Sequence, residues 1–273
     1  MKITSLVDNV GNNPRLINRY GLSYYIETDN HKLLFDAGPD DAFQLNANQL
    51  GIYIGTVELM VLSHGHYDHG DGLKTFLELN ESAPVYIHKQ AFGQHYSKLA
   101  FIKKYIGLDQ SLKNSPRFLP TDGTFSIDDE LTLFSNVPGK ELLSPANKSL
   151  MVQVGNDLQP DQFDHEQNLI ITEGNNTILI AGCAHKGILN ILEAADKIAG
   201  RPVTHAFGGF HLITPVTEKA TDKGIIDEIG LRLLSRPTRY WTCHCTGLDA
   251  FGRLKSILGN QISYLSTGMT VEI

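Results

Sequence analysis

Three cysteines, one tryptophan and no apolar run long enough to cross a bilayer are what this sequence has little of. Cys183, Cys243 and Cys245 form an odd set in the second half, which excludes a disulfide framework and leads us to expect a reducing, cytoplasmic setting. A membrane-spanning helix needs about 20 apolar residues, so no membrane partner is expected. Residues 1–8 alternate like a strand and lack the apolar centre of a signal peptide. Basic residues are the minority, 23 against 30 acidic ones, and the net charge of −7 argues against a nucleic-acid partner. Low-complexity tracts and short-period repeats are missing as well. With 41% hydrophobic and 19% charged residues in 273, the chain is not disordered and can fill a core. A single domain over 1–273 is expected. An insertion or lid is expected around 109–165, where Pro116, Pro120, Pro138 and Pro145 break up the pattern.

Histidine is plentiful, with eleven residues, and its placement is informative. Apolar runs at 31–36, 57–63, 84–88, 177–181, 203–207 and 239–242 read as strands ended by turn residues. Helical periodicity follows several of them: through Leu73, Phe76, Leu77 and Leu79, from about 90 to 105, through Ile188 to Ala195, and from about 248 to 258. Residues 262–273 read as two strands around Thr267-Gly268. This alternation predicts an α/β fold, with mixed rather than purely parallel sheets. Ligands in such folds gather at the carboxyl ends of strands. Asp36, His64, His88, His185, His211 and His244 all fall at such ends.

His64-Gly65-His66-Tyr67-Asp68-His69 places three imidazoles and a carboxylate within six residues. Histidines two apart in an extended loop can converge on one cation. The Asp and His that follow, where the chain turns into a helix, can face a second. Imidazole nitrogen with carboxylate oxygen suits zinc, manganese or iron. A water between two such cations is acidified and serves as a nucleophile.

This motif, after a strand and before a helix, resembles the metallo-β-lactamase superfamily, and Phe35-Asp36-Ala37-Gly38 matches that family's first motif. The nearer resemblance is to its dihydropterin-ribofuranosyl-aminobenzene phosphate synthase-like group, through residues 62–69, Gly182-Cys183-Ala184-His185, 208–212 and His244-Cys245-Thr246-Gly247. The resemblance implies a four-layer αββα sandwich with two divalent metal ions, zinc fitting best and manganese or iron also suitable. It implies His64 and His66 as ligands of the first ion, Asp68, His69 and His244 as ligands of the second, and Asp36 orienting a ligand imidazole. Cys183 stands where many members carry a bridging aspartate. His185 is our choice for the missing ligand, and Cys183 is read as a buried structural thiol, with thiolate ligation as the alternative. The family's mid-chain histidine has no clear counterpart, and His165 is the fallback.

The remaining polar residues divide similarly. His211 is expected to bind substrate or donate a proton, rather than being a satisfied loop histidine, and His88 to contact substrate at a rim. Thr246, with Gly247, could offer backbone N–H groups to an anion at a helix start. His31, His95 and His205 read as surface or core residues, and Cys245 as packing. Tyr67, Phe92, Phe210 and Trp241 could stack on a flat ring, though each reads more simply as core. The function expected is a metal-dependent hydrolase of a small, phosphorylated or otherwise esterified molecule, with Asp68 orienting the nucleophile and His211 protonating the leaving group. The alternatives are a synthase displacing diphosphate from a dihydropterin methyl diphosphate to join a ribofuranosyl-aminobenzene phosphate, and a catalytically silent metal-bearing sensor. An apolar edge strand would suit a homodimer.

Overall fold

A computed structural model of the chain describes residues 1–214 and 219–273. It is a mixed α/β structure of two compact units. The first comprises 1–121, 151–159 and 265–273, and the second 122–150 and 160–264.

The first unit opens with the antiparallel strands β1 (Lys2–Val7), β2 (Ser23–Glu27) and β3 (Lys32–Phe35). After α1 (Ala42–Gln49) come β4 (Leu59–Leu62), the single turn α2 (Tyr67–Gly70), α3 (Leu73–Leu79) and β5 (Val85–His88). Next are β6 (His95–Leu99), β7 (Ile102–Tyr105) and β8 (Phe118–Thr121). Helix α3 follows the predicted spacing: Leu73 and Phe76 are buried in a cluster with Leu34, Met60, Leu62, Val85 and Ile87.

The second unit begins with β9 (Thr124–Ser126) and β10 (Leu131–Ser135). The chain then returns to the first unit through β11 (Leu150–Val154) and β12 (Asp157–Pro160) before resuming with β13 (Gln167–Glu173) and β14 (Asn176–Ile180). It continues as α4 (Ile188–Ala199), β15 (His205–Gly208), α5 (Lys223–Leu234), β16 (Arg239–Thr242), α6 (Leu248–Leu258) and β17 (Ile262–Tyr264). Finally β18 (Thr270–Glu272) lies beside β1 in the first unit. Helix α6 buries Ala250, Leu254 and Leu258 at i, i+4 and i+8, in one cluster with Ile188, Leu192, Ala206 and Ile229.

Each unit has a seven-stranded sheet, ordered β18-β1-β2-β3-β4-β5-β8 in the first and β17-β16-β15-β14-β13-β10-β9 in the second. Both are half antiparallel and half parallel. The first is parallel from β3 through β4 and β5 to β8, the second from β14 through β15 and β16 to β17. The mixed sheets match the expectation from sequence. In each unit three adjacent parallel strands therefore end on the same edge. Asp36, His64 and His88 lie at the ends of β3, β4 and β5, and His185, His211 and His244 follow β14, β15 and β16.

The helix expected from about 90 to 105 does not form. That stretch is the hairpin β6–β7, part of a four-stranded sheet ordered β12-β11-β6-β7. Tyr96 pairs across it with Tyr105, their ring centroids 5.4 Å apart, and the Lys103 ammonium sits 3.6 Å over the Tyr96 ring. Gln153 N donates to Gln94 O at 2.9 Å. Cross-strand aromatic pairs and a third strand outweigh local helix preference here. Helices α1 and α5 were not foreseen. Residues 109–165 form the expected short strands and long connections. Among the described residues, no helix is long and apolar enough to cross a membrane.

Candidate metal centre

In the first unit the chain leaves β4 extended, with His66 at φ −102° and ψ 146°, before α2 begins. Side chains alternate along an extended segment, so His64 and His66 face the same way, ring centroids 4.5 Å apart. The turn of α2 brings His69 to 4.2 Å from His64, centroid to centroid, and its Nε2 lies 4.0 Å from Asp68 Oδ2. Gly65 is required here, because a Cβ at that position would run into the backbone carbonyl of Ala91. His64, His66, Asp68 and His69 are all buried.

Asp36 organises this group. Wholly buried at the end of β3, with φ +59°, it accepts from Ser63 N (2.7 Å), Ser63 Oγ (2.7 Å) and His69 Nδ1 (2.6 Å). Three donors satisfy the hydrogen-bonding demand of this buried carboxylate. Because the Ser63 hydroxyl donates to Asp36, it accepts from His64 Nδ1 at 2.8 Å. Both rings then carry their proton on Nδ1 and present the Nε2 lone pair, the arrangement in which a carboxylate orients a metal-ligating imidazole. This matches the role expected of Asp36. The neighbouring Asp71 carboxyl is pushed up to about 6 by burial and by the Asp109 and Asp68 carboxylates, a local excess of negative charge that suits a cation. The donor set, imidazole nitrogens with one carboxylate, fits a divalent zinc, manganese or iron ion.

The second unit fixes His185 differently. Its Nδ1 donates to Asn147 Oδ1 at 3.1 Å while Asn147 Nδ2 donates to its carbonyl at 2.8 Å, again leaving Nε2 as the lone-pair nitrogen. Phe163 stacks on the ring, centroids 4.4 Å apart and planes 4° from parallel. The buried Glu166 accepts from the backbone N–H of His185 (2.6 Å) and Lys186 (3.0 Å). Burial raises its carboxyl to about 7, and those two bonds work against the rise. His211 lies 4.2 Å from His185, centroid to centroid, and is buried. Burial alone would raise the Cys245 thiol, but contacts with Cys183 and His211 and the charge of His244 and His211 hold it well below the ordinary thiol value. Ala184, His211 and His244 have φ of +56°, +49° and +45°. Left-handed backbone at residues with a Cβ costs on the order of 1–3 kcal/mol each and collects at functional sites.

The other expected site residues are placed as follows. His88 Nδ1 accepts from Gln90 N at 3.3 Å within a turn, and the residue is buried. The Thr246 hydroxyl accepts from Phe210 N at 2.8 Å and lies 2.5 Å from the Thr242 hydroxyl, while its amide donates to Cys243 O at 3.0 Å, so Thr246 braces the loop that carries His211. His165 Nε2 lies 3.3 Å from Asp161 Oδ2. Ser63, Asn147, Phe163 and Glu166 were not foreseen as positioning residues. Nor was His95, read as surface or core; it is buried with its ring 5.6 Å from that of His66. A strand starting at His95, rather than a helix, was the signal that could have revealed it. Within the second unit a pocket of about 440 Å³ is lined by Lys140, Asn147, Lys148, Phe163, His185 and Lys186, among others.

A relative from Methanocaldococcus jannaschii, an uncharacterized protein, is 29% identical over 280 residues, spanning 99% of this chain and 100% of its own. The 7,8-dihydropterin-6-methyl-4-(beta-D-ribofuranosyl)-aminobenzene-5'-phosphate synthase of the same organism is 26% identical over 300 residues, covering 100% of this chain and 96% of that protein. Among solved structures, Tm1679, described as a metal-dependent hydrolase of the beta-lactamase superfamily, superposes with a TM-score of 0.85 at 26% identity, over 100% of this chain and 99% of that one. The family model of the metallo-beta-lactamase superfamily matches residues 16–195, a span that takes in Asp36, the run from His64 to His69, and His185. The chain thus belongs to the metallo-beta-lactamase superfamily and has its fold.

Proposed function

We propose that the protein is a metal-dependent hydrolase of a small ester or phosphoester, with His64, His66, Asp68, His69, His185 and His244 as ligands of two divalent ions, zinc by preference. The observation that carries this reading is the Asp36–Ser63 network, which turns the Nδ1 protons of His64 and His69 inward and makes Nε2 the lone-pair nitrogen of both rings. When bound, the ions would supply an acidified water and Lewis acidity toward a phosphoryl or carbonyl oxygen. Asp68 would orient the attacking water, and His211 would carry the proton for the leaving group. Thr246 and Phe210 hold the His211 loop. The pocket of about 440 Å³ suits a small anionic substrate: Lys140, Lys148 and Lys186 offer positive charge, and Phe163 offers a ring face. His88 is the other proposed substrate contact.

A second reading, a synthase that displaces diphosphate, is favoured by the full-length relative of that name. One experiment separates the two. Protein purified without added metal is analysed for its elements, stripped with a chelator, and assayed with a phosphodiester, a phosphomonoester and a thioester. Near two ions per chain, with hydrolysis lost on stripping and restored by one ion, supports the hydrolase. Two ions with no ester cleaved, but diphosphate released from a pterin methyl diphosphate, supports the synthase.

A further inference from the structure

We propose that the β6–β7 hairpin is a docking tip for an anionic lipid surface, with Phe101 and Ile102 entering the acyl layer and Lys98, Lys103 and Lys104 meeting the headgroups. The hairpin belongs to the first unit, and β7 is an edge strand of its four-stranded sheet. Leu99 pairs with Ile102, so Ala100 and Phe101 make a two-residue turn, with Ala100 at φ +52°. Phe101 is 104% exposed and Ile102 71%. All four residues of β7 are exposed, so both of its faces meet solvent.

The charge around the tip identifies its partner. From Ser82 to Leu108 the chain carries four lysines and no acidic residue, although its net charge is −7. Three of the four lie on the hairpin, and Lys98 stands directly across from Lys103. Like charges opposed across a strand pair are destabilising. No carboxylate relieves them. The Lys103 and Lys104 ammoniums lie over the Tyr96 and Tyr67 rings, 3.6 and 4.9 Å from the centroids, and none of the three is in an ion pair among the described residues. An anionic surface removes this repulsion, whereas a second copy paired along β7 would add to it. A single exposed apolar side chain is ordinary, but here two adjacent ones lead and lysines follow. At the usual strand rise Lys103 trails Phe101 by about 7 Å, against about 5–8 Å for a headgroup layer. Tyr96 and Tyr105, paired further back, are of the type that settles at such an interface. Ile102 favours lipid over nucleic acid, because an aliphatic side chain offers no ring on which a base can stack. The sequence lacks a membrane-spanning helix, but peripheral contact needs none.

The test is flotation of the full chain with vesicles of phosphatidylcholine alone and of equimolar phosphatidylcholine and phosphatidylserine. Binding is expected to the mixed vesicles only. It should fall as salt rises from about 0.1 M to about 1 M, where the screening length shortens from about 10 Å to about 3 Å. Phe101→Ser should weaken binding about 10-fold or more. Lys103→Gln and Lys104→Gln should each weaken it about 5-fold and flatten the salt dependence. All three sites are exposed, so unchanged circular dichroism should accompany the losses. In Phe101→Trp, emission should shift to the blue on mixed vesicles and be quenched by acyl-brominated lipid, read against the wild type and its single Trp241. Equal binding to both vesicles, no binding to either, or wild-type binding by Phe101→Ser would overturn the proposal. So would binding to polyuridylate or polyglutamate without binding to mixed vesicles. None of these readouts depends on turnover, so the docking tip stands or falls apart from the hydrolase reading.

Discussion

The two units run the same order of strand pairings into different chemistry. At the end of its first parallel strand the first unit has Asp36, where the second has Cys183 close by. Each unit buries a carboxylate beside a proposed ligand histidine, but uses it in its own way. Asp36 accepts a hydrogen bond from His69 Nδ1 directly. Among the described residues Glu166 accepts from backbone N–H groups, and the His185 ring is set by the neutral Asn147 amide and the face of Phe163. One unit orients its ligands by charge, the other by amide and stacking. A frame shared by two halves therefore fixes where ligands go, and leaves how they are held free to diverge.

The largest expected effect lies in the first unit. His66→Ala should reduce metal-dependent hydrolysis to background and lower bound metal, read by elemental analysis beside turnover; full activity in a folded variant would remove that unit from the chemistry. Asp36→Asn comes next. An amide cannot match a carboxylate as acceptor for Ser63 and His69, and losing such a partner costs about 10–100-fold in metal affinity. Competition with a chromogenic chelator should place it near the upper end. Asn147→Ala should fall near the lower end, about 10-fold, because the hydrogen bond it removes is neutral. Equal losses in the two variants would erase the distinction between charge and amide.

The smallest effect probes the second unit's core through pH. Burial raises the Tyr240 hydroxyl to about 12, above its ordinary 10.0, and the hydroxyl donates to Leu233 O at 3.0 Å. Across that window the folded chain keeps a proton that the unfolded chain loses, so stability should fall as pH rises from about 10 to about 12. Tyr240→Phe should flatten that stretch of the urea-midpoint curve and cost about 1 kcal/mol at neutral pH.

What the sequence reveals and conceals follows from range. Strands such as 59–62 and 176–180 hold continuous apolar runs (59–62 and 178–180) closed by turn residues, and α6 spans 248–258 as its periodicity predicts. Six polar residues at strand ends were legible for the same local reason. The positioning groups were not, because each bond joins residues far apart in the chain: Asp36 with Ser63, Asn147 with His185, Glu166 with His185. The hairpin at 95–105 was misread because its third strand, β11, comes some fifty residues later, and that error hid His95. Helix α1 escaped notice because it buries Asn46 beside Ala42, Phe43 and Ala47. That amide donates to the carbonyls of Leu6 and Ile17, partners no helical pattern announces.

The pairing of β18 with β1 bears on how the chain is made. Ile3 lies opposite Val271, and the Met1 amino group donates to Ile273 O at 3.3 Å. A ribosome releases β1 early and β18 long afterwards, so the nascent sheet carries an open strand edge for most of translation. Such an edge is a template for another chain. A circular permutant that places residues 265–273 ahead of Met1, through a short linker across the adjacent ends, should close that edge at once. It should also form fewer inclusion bodies at high expression than the natural order.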